Sequence, residues 1–171
     1  MRWNACGARN STRSRRPLSE LRLIAVGRIG RSPEADLFAR YAARIRPPLA
    51  VTELAEARGS AGEKKRREAD AILDALPEKA FAVVLDPGGI APGSEVFSAM
   101  LDRWLASGRP VCFVIGGADG LDAKVLARAD ATVSLGPLTW PHLLARVMLA
   151  EQVFRARAIS AGHPYHRAGR P

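Results

Sequence analysis

A mainly parallel, five-stranded α/β sheet with helices on both faces is the fold class this sequence predicts, and three observations predict it. Five short apolar runs are spread along the chain, stretches of helical periodicity separate them, and glycines gather just beyond the runs rather than inside them. Strands covered by helices on both sides read as continuous apolar runs instead of alternating ones. Strand and helix in alternation is the order such a sheet requires, and its ligands bind beyond the carboxyl ends of the strands.

The elements follow in order. Leu21 to Val26 closes on Gly27 and reads as the first strand. Ser32-Pro33 supplies a cap and a proline at the first helical position, and Leu37, Phe38, Tyr41 and Ile45 share a stripe until Pro47-Pro48 ends the helix. Leu49 to Leu54 alternates weakly, as a strand near an edge does, and Gly59 to Gly62 makes a flexible break. A helix from Glu63 to Leu76 carries Lys64, Lys65, Arg66 and Arg67 in its first turns, where the helix dipole disfavours positive charge. Both a solvated face and an RNA contact are open readings of that cluster.

Ala80 to Leu85 is the third strand, and Asp86-Pro87-Gly88-Gly89 a turn at its carboxyl end. Ser94 caps the next helix, in which Val96, Phe97, Met100, Leu101, Trp104 and Leu105 form a core stripe ending at Gly108. Trp104 fits that stripe rather than a nucleotide-stacking role. Pro110 to Ile115 is the fourth strand and runs into a glycine-rich turn, Gly116 to Leu121, followed by a short helix from Asp122 to about Arg128. Ala131 to Leu135 is the fifth strand, and Gly136 to Pro141 a bent connection into a last helix reaching about Ala161.

Composition removes several function classes. The apolar share of 47% suits a globular core, and 171 residues suit one domain, expected over residues 21–171. No apolar run approaches the roughly 18 residues of a membrane span. Cys6 and Cys112 stand in unlike contexts without partner Cys or His at zinc-ligand spacing, so neither a disulfide framework nor a metal site is expected. A Rossmann dinucleotide site needs G-x-G-x-x-G directly after the first strand, where this chain has Gly27-Arg28-Ile29-Gly30.

Charge points to a partner. The formal net charge is +9, and both ends of the chain are basic: five Arg against one Glu in residues 1–20, and five Arg, one Glu and all three His in 141–171. Such an excess favours polyanions through phosphate contact and counterion release. Residues 1–20 lack the apolar segment of a secretory signal and read as a basic, disordered extension, or as the product of an upstream start codon; their composition also resembles a transit peptide.

Two glycines at 116 and 117 show only that backbone there approaches a ligand or another segment closely. Several stretches together carry more. Ala25-Val26-Gly27, Leu85-Asp86, Ile115-Gly116-Gly117 with Gly120-Leu121, Leu138-Thr139-Trp140-Pro141-His142 with Arg146-Val147, Glu151 to Ala156, and His163-Pro164-Tyr165-His166-Arg167 closely resemble the ribosomal RNA large-subunit methyltransferase H family of the SPOUT, or α/β-knot, superfamily. The likeness runs from Leu21 onward. Ile90 departs from it, standing where relatives commonly have a basic residue.

The resemblance implies a C-terminal deep trefoil knot, a homodimer in the cytoplasm, and transfer of a methyl group from S-adenosylmethionine to N3 of a pseudouridine in large-subunit (23S) ribosomal RNA, on the subunit or the assembled ribosome, without a metal. It implies a cofactor pocket from Leu85, Gly116, Leu135, Gly136, Pro137, Leu138, Thr139 and Trp140. For RNA it implies His142, Arg146, His163, Tyr165, His166 and Arg167, with His166, Tyr165 and Arg146 as the catalytic candidates and no base assigned. Arginine suits phosphate, tyrosine stacking, and histidine contact or proton removal. Glu151 and Arg155, four apart on a helix, are placed to pair. A tRNA-directed enzyme of the same fold and a catalytically silent RNA-binding module are the rival expectations.

Overall fold

The computed structural model describes residues 20–166. Expectations for residues 1–19 and for Arg167 lie outside the described residues. The order is β1 (Leu21–Val26), α1 (Pro33–Ala42), β2 (Leu49–Leu54), α2 (Ala61–Ala75), β3 (Phe81–Ile90), α3 (Ser94–Ala106), β4 (Val111–Ile115), α4 (Ala123–Arg128), β5 (Ala131–Val133) and α5 (His142–Ser160). The strands form one sheet in the order β2-β1-β4-β3-β5, and every pairing is parallel.

Period-two geometry sends alternate residues of each strand to opposite faces, and the two faces make two cores. On one, Leu21, Leu23, Ala25, Val83, Val111 and Phe113 pack with Phe97, Leu101 and Trp104 of α3 and Leu149, Val153 and Phe154 of α5, with α1 laid against α5. On the other, Ile24, Val26, Ala82, Val84, Cys112 and Val114 meet Ala69 and Ile72 of α2 and Val125 of α4. Being covered twice is why β1 and β4 are apolar at every position but Arg22. A side chain such as Phe113, with no exposed surface, contributes about 1.5–3 kcal/mol by burial. β2 is an edge strand, and residues 50–53 of it are exposed.

Several local expectations are corrected. Asp86 to Gly89 turns as expected, with the Gly88 amide donating to Asp86 Oδ1 at 2.8 Å, but it does not end the third strand: Leu85 and Ile90 both pair with Val133, so the four residues are an irregular excursion within β3. Pairing with β5 resumes after the turn. Gly89 permits it, because a Cβ there would lie 2.7 Å from the backbone of Thr132 and Val133. Ser60 is the cap of α2, not part of a flexible break, and forms a capping box with Glu63. Gly93 caps α3, so Ser94 is its first residue, and its hydroxyl reaches Gln152 at 2.9 Å instead. Val96 is 55% exposed and is no core residue. α1 stops at Ala42, leaving Ile45 buried beyond it and Leu37 largely exposed.

Candidate active site

A cleft of about 620 Å³ opens at the carboxyl ends of β3, β4 and β5, where an open parallel sheet places its ligands. Three segments build it: Leu85 to Pro87 from β3, the turn after β4 from Ile115 to Leu121, and the chain from Val133 to His142 between β5 and α5. Of the residues expected from the sequence, Leu85, Gly116, Leu135, Gly136, Leu138, Thr139 and Trp140 line it, and Pro137 does not. His142, expected on an RNA rim, lines it as well.

The shape of the cleft follows from small residues and one hydroxyl. A Cβ on Gly117 would stand 2.8 Å from the Glu68 carboxylate, which reaches over from α2 and also accepts the Ala57 amide at 3.1 Å. Glycine there lets the turn settle against α2. Across the cleft, the Ser134 hydroxyl accepts from the Gly136 amide at 3.2 Å and donates to the Gly136 carbonyl at 2.9 Å, folding the bend. The Ser134 amide donates to the Ile90 carbonyl at 2.7 Å, so the extension of β3 anchors this bend too. Ser134 carries no sequence signal beyond its place at the end of a strand. Asp86 and His142 are the titratable side chains along the wall, and Leu138 and Trp140 stay 65% and 38% exposed at the mouth.

Arg146 is placed otherwise than expected. Its side chain is 1% exposed: one guanidinium nitrogen donates to the Val26 and Gly27 carbonyls at 2.7 Å each, the other to Glu53 Oε1 at 2.8 Å. Glu53 also accepts the Ile29 amide at 2.8 Å. Burial draws the Arg146 pKa below its ordinary value, and Glu53, then Glu56, oppose that shift. The Arg146 Nε is buried without a hydrogen-bond partner among the described residues, and a guanidinium so enclosed presents no donor to a phosphate at the surface; it fastens the start of α5 to the end of β1 and to edge strand β2.

The tail lies elsewhere. The Tyr165 hydroxyl donates to Glu151 Oε1 at 3.0 Å, and its ring packs edge-on to Phe154 with centroids 4.6 Å apart. Arg155 pairs with Glu151 as its spacing allows, and sits over the Tyr165 ring. Burial, followed by the Glu151 contacts, pushes the Tyr165 phenol up to about 12. His163 Nδ1 accepts the Tyr165 amide at 3.2 Å, and His166 Nε2 lies 3.5 Å from Glu95. Glu151 is six residues along α5 from Ala145, the last cleft residue on that helix, about 9 Å at 1.5 Å per residue, so the tail packs beyond the edge of its own cleft.

Among the described residues there is no cluster of three or more His, Cys, Asp or Glu that could hold a metal ion. Cys112 is buried in β4, and burial pushes its thiol up to about 11. No described helix is long and apolar enough to cross a membrane.

Fold and cleft together define a small α/β domain with a concave, glycine-lined site at the carboxyl edge of a parallel sheet. Residues 20–166 match a family model described as "Predicted SPOUT methyltransferase", and the chain belongs to that family. It is similar to proteins named ribosomal RNA large subunit methyltransferase H: 62% identical to that of Gluconacetobacter diazotrophicus, over 88% of this chain and 99% of the relative, and 57% identical to that of Acidiphilium cryptum, over 91% and 98%. The relative from Rhodospirillum centenum is 49% identical over 85% of this chain and 97% of its own length.

Proposed function

We propose that this chain methylates N3 of a pseudouridine in large-subunit ribosomal RNA with S-adenosylmethionine as donor, acting as a cytoplasmic homodimer whose C-terminal segment is threaded into a trefoil knot. One observation carries the reading: seven residues from positions 85 to 140, expected to hold the cofactor, gather around a single cleft of suitable size at the carboxyl edge of the sheet. The names of its relatives agree with it.

The lining suits an adenosyl ligand chemically. Leu85, Ile115, Leu121 and Leu135 offer apolar walls for a ring, while the glycine turns at 116–117 and 136 bring backbone amides and carbonyls near enough to read its edge. When bound, the donor supplies a methyl group on a sulfonium. The chain's own work is to orient a ring nitrogen in line with that group and to take its proton. Orientation of this kind contributes about 7–11 kcal/mol to lowering a barrier. Asp86 and His142 are the wall's own proton acceptors, whereas Tyr165, with its phenol held near 12, serves as a hydrogen-bond donor and stacking surface, not as a base.

The homodimer is supported by the same distances. A tail packed about 9 Å along α5 past the last residue of its own cleft meets substrate most simply at the cleft of a second copy. Nucleoside mass spectrometry of ribosomal RNA from cells with and without the gene tests the whole reading. Loss of one N3-methylpseudouridine from 23S RNA is the expected result, and an unchanged profile would remove the substrate.

A further inference from the structure

The basic cluster of α2 is not used by the cleft, yet it adjoins it. Lys64 pairs with Asp119 at 3.2 Å and ties the helix to the turn that forms one cleft wall. The Lys65 ammonium lies 3.9 Å from where a Cβ on Gly120 would stand, and Gly120 lines the cleft. Arg66 is exposed, and Arg67 donates to the Arg58 carbonyl at 3.3 Å. Each residue turns about 100° around a helix, so Lys65 shares the stripe of Glu68, Ala69 and Ile72 and reaches the lip of the cleft, while Arg66 and Arg67 turn away from the sheet to the outer crest of α2, Arg67 toward the loop at Arg58.

Their charge is left open by the fold. Glu63, the acid in the same turn, is held at the cap by the Ser60 amide and hydroxyl at 2.9 and 2.8 Å. Asp70, further along, pairs with Lys124. Among the described residues, Lys65, Arg66 and Arg67 form no ion pair. They stand in the second turn of the helix, and the one hydrogen bond that the described residues take from them is that of Arg67 to the Arg58 carbonyl. No large apolar side chain is exposed on α2, whereas a protein partner would want an apolar centre ringed by polar groups. Clustered cations without that centre suit phosphates.

We propose that the crest of Arg66 and Arg67, with Lys65 at its foot on the cleft lip, is a track for the RNA backbone, holding phosphates that flank the target nucleotide while the base enters the cleft. It rests on the RNA-methylation reading above and adds a surface to it, on the opposite face of the sheet from α5 and the tail.

The test is the full chain carrying Lys65→Gln, Arg66→Gln and Arg67→Gln, assayed beside the unchanged protein on ribosomes from cells lacking the modification. The loss should fall on KM, roughly tenfold or more near 0.15 M salt, rather than on kcat. The dependence of log(1/KM) on log salt should become shallower by about two to three, one contact at a time. Adenosylmethionine affinity should be unchanged, and Tm nearly so, because these substitutions remove only the exposed Arg67 contact with the Arg58 carbonyl.

A KM within twofold of the unchanged protein overturns the track. A raised KM with an unaltered salt slope overturns it too, assigning the crest to a ribosomal protein. So does a parallel loss of cofactor affinity, which would mean that the helix acts only through the Gly117–Leu121 turn. If the unchanged protein leaves ribosomal RNA unmethylated, the functional reading fails first, and the two failures are told apart by that control.

Discussion

The two ends of α5 do different physical work with similar residues. At its start, Arg146 is enclosed, its guanidinium divided between Glu53 and two carbonyls at the end of β1. Towards its end, Arg155 pairs with Glu151 on the helix surface and Tyr165 closes over them, half-buried. The first arginine is joined to groups some 93 and 120 positions away in sequence; the second to groups four and ten away. Long-range, buried contacts hold a cleft wall in one place, whereas short-range contacts near solvent dock a segment that can let go. A rigid pocket at one end and a releasable tail at the other is the arrangement expected of an enzyme that retains a cofactor while a large substrate arrives and leaves.

The sharpest way to break that contrast is to delete residues 163–171. Methylation of ribosomes should vanish while calorimetry still finds adenosylmethionine bound and unfolding changes little; retained turnover would show that the tail has no part in the reaction. Next in size is Arg146→Met. It leaves Glu53 without its partner and the Val26 and Gly27 carbonyls without a donor, and should cost about 3–5 kcal/mol in urea unfolding, as loss of one member of a buried pair does. A cost below about 1 kcal/mol would place Arg146 with surface cations after all.

Smaller again is Ser134→Ala, which frees the Gly136 bend at about 1–2 kcal/mol and should weaken cofactor binding roughly tenfold in titration. Smallest at neutral pH is Tyr165→Phe in the docked tail. The phenol is raised in the folded state from about 10 to about 12, so its contribution is fully present below pH 10 and lost as pH rises through 12. Thermal unfolding followed between those limits should show the unchanged protein losing stability that the phenylalanine variant does not lose; superimposable curves would mean that Tyr165 is not docked in solution.

How much was legible differs with the range of the forces involved. β1 and β4 were plain, because a strand covered on both faces has apolar residues at every position but Arg22. The α4 and α5 boundaries were close, since their caps and prolines are local chemistry. Residues 86–89 turn as Asp-Pro-Gly-Gly signals, but that β3 resumes its pairing with β5 at Ile90 was not legible, because it depends on a distant strand. Val96 misled in the same way: a helical stripe shows which side faces inward but not how far the neighbouring helix extends to cover it.

By itself the sequence determined the alternation of strands and helices, the glycine turns at the carboxyl edge, the excess of positive charge and the family, since each of these is written in residue types and short spacings. Only the tertiary structure decided that Arg146 belongs to the scaffold, that Ser134 and Glu68 shape the cleft, and that Lys65 stands at its lip. Those outcomes depend on which distant segments meet, and burial turns one arginine into a clamp while leaving another in water.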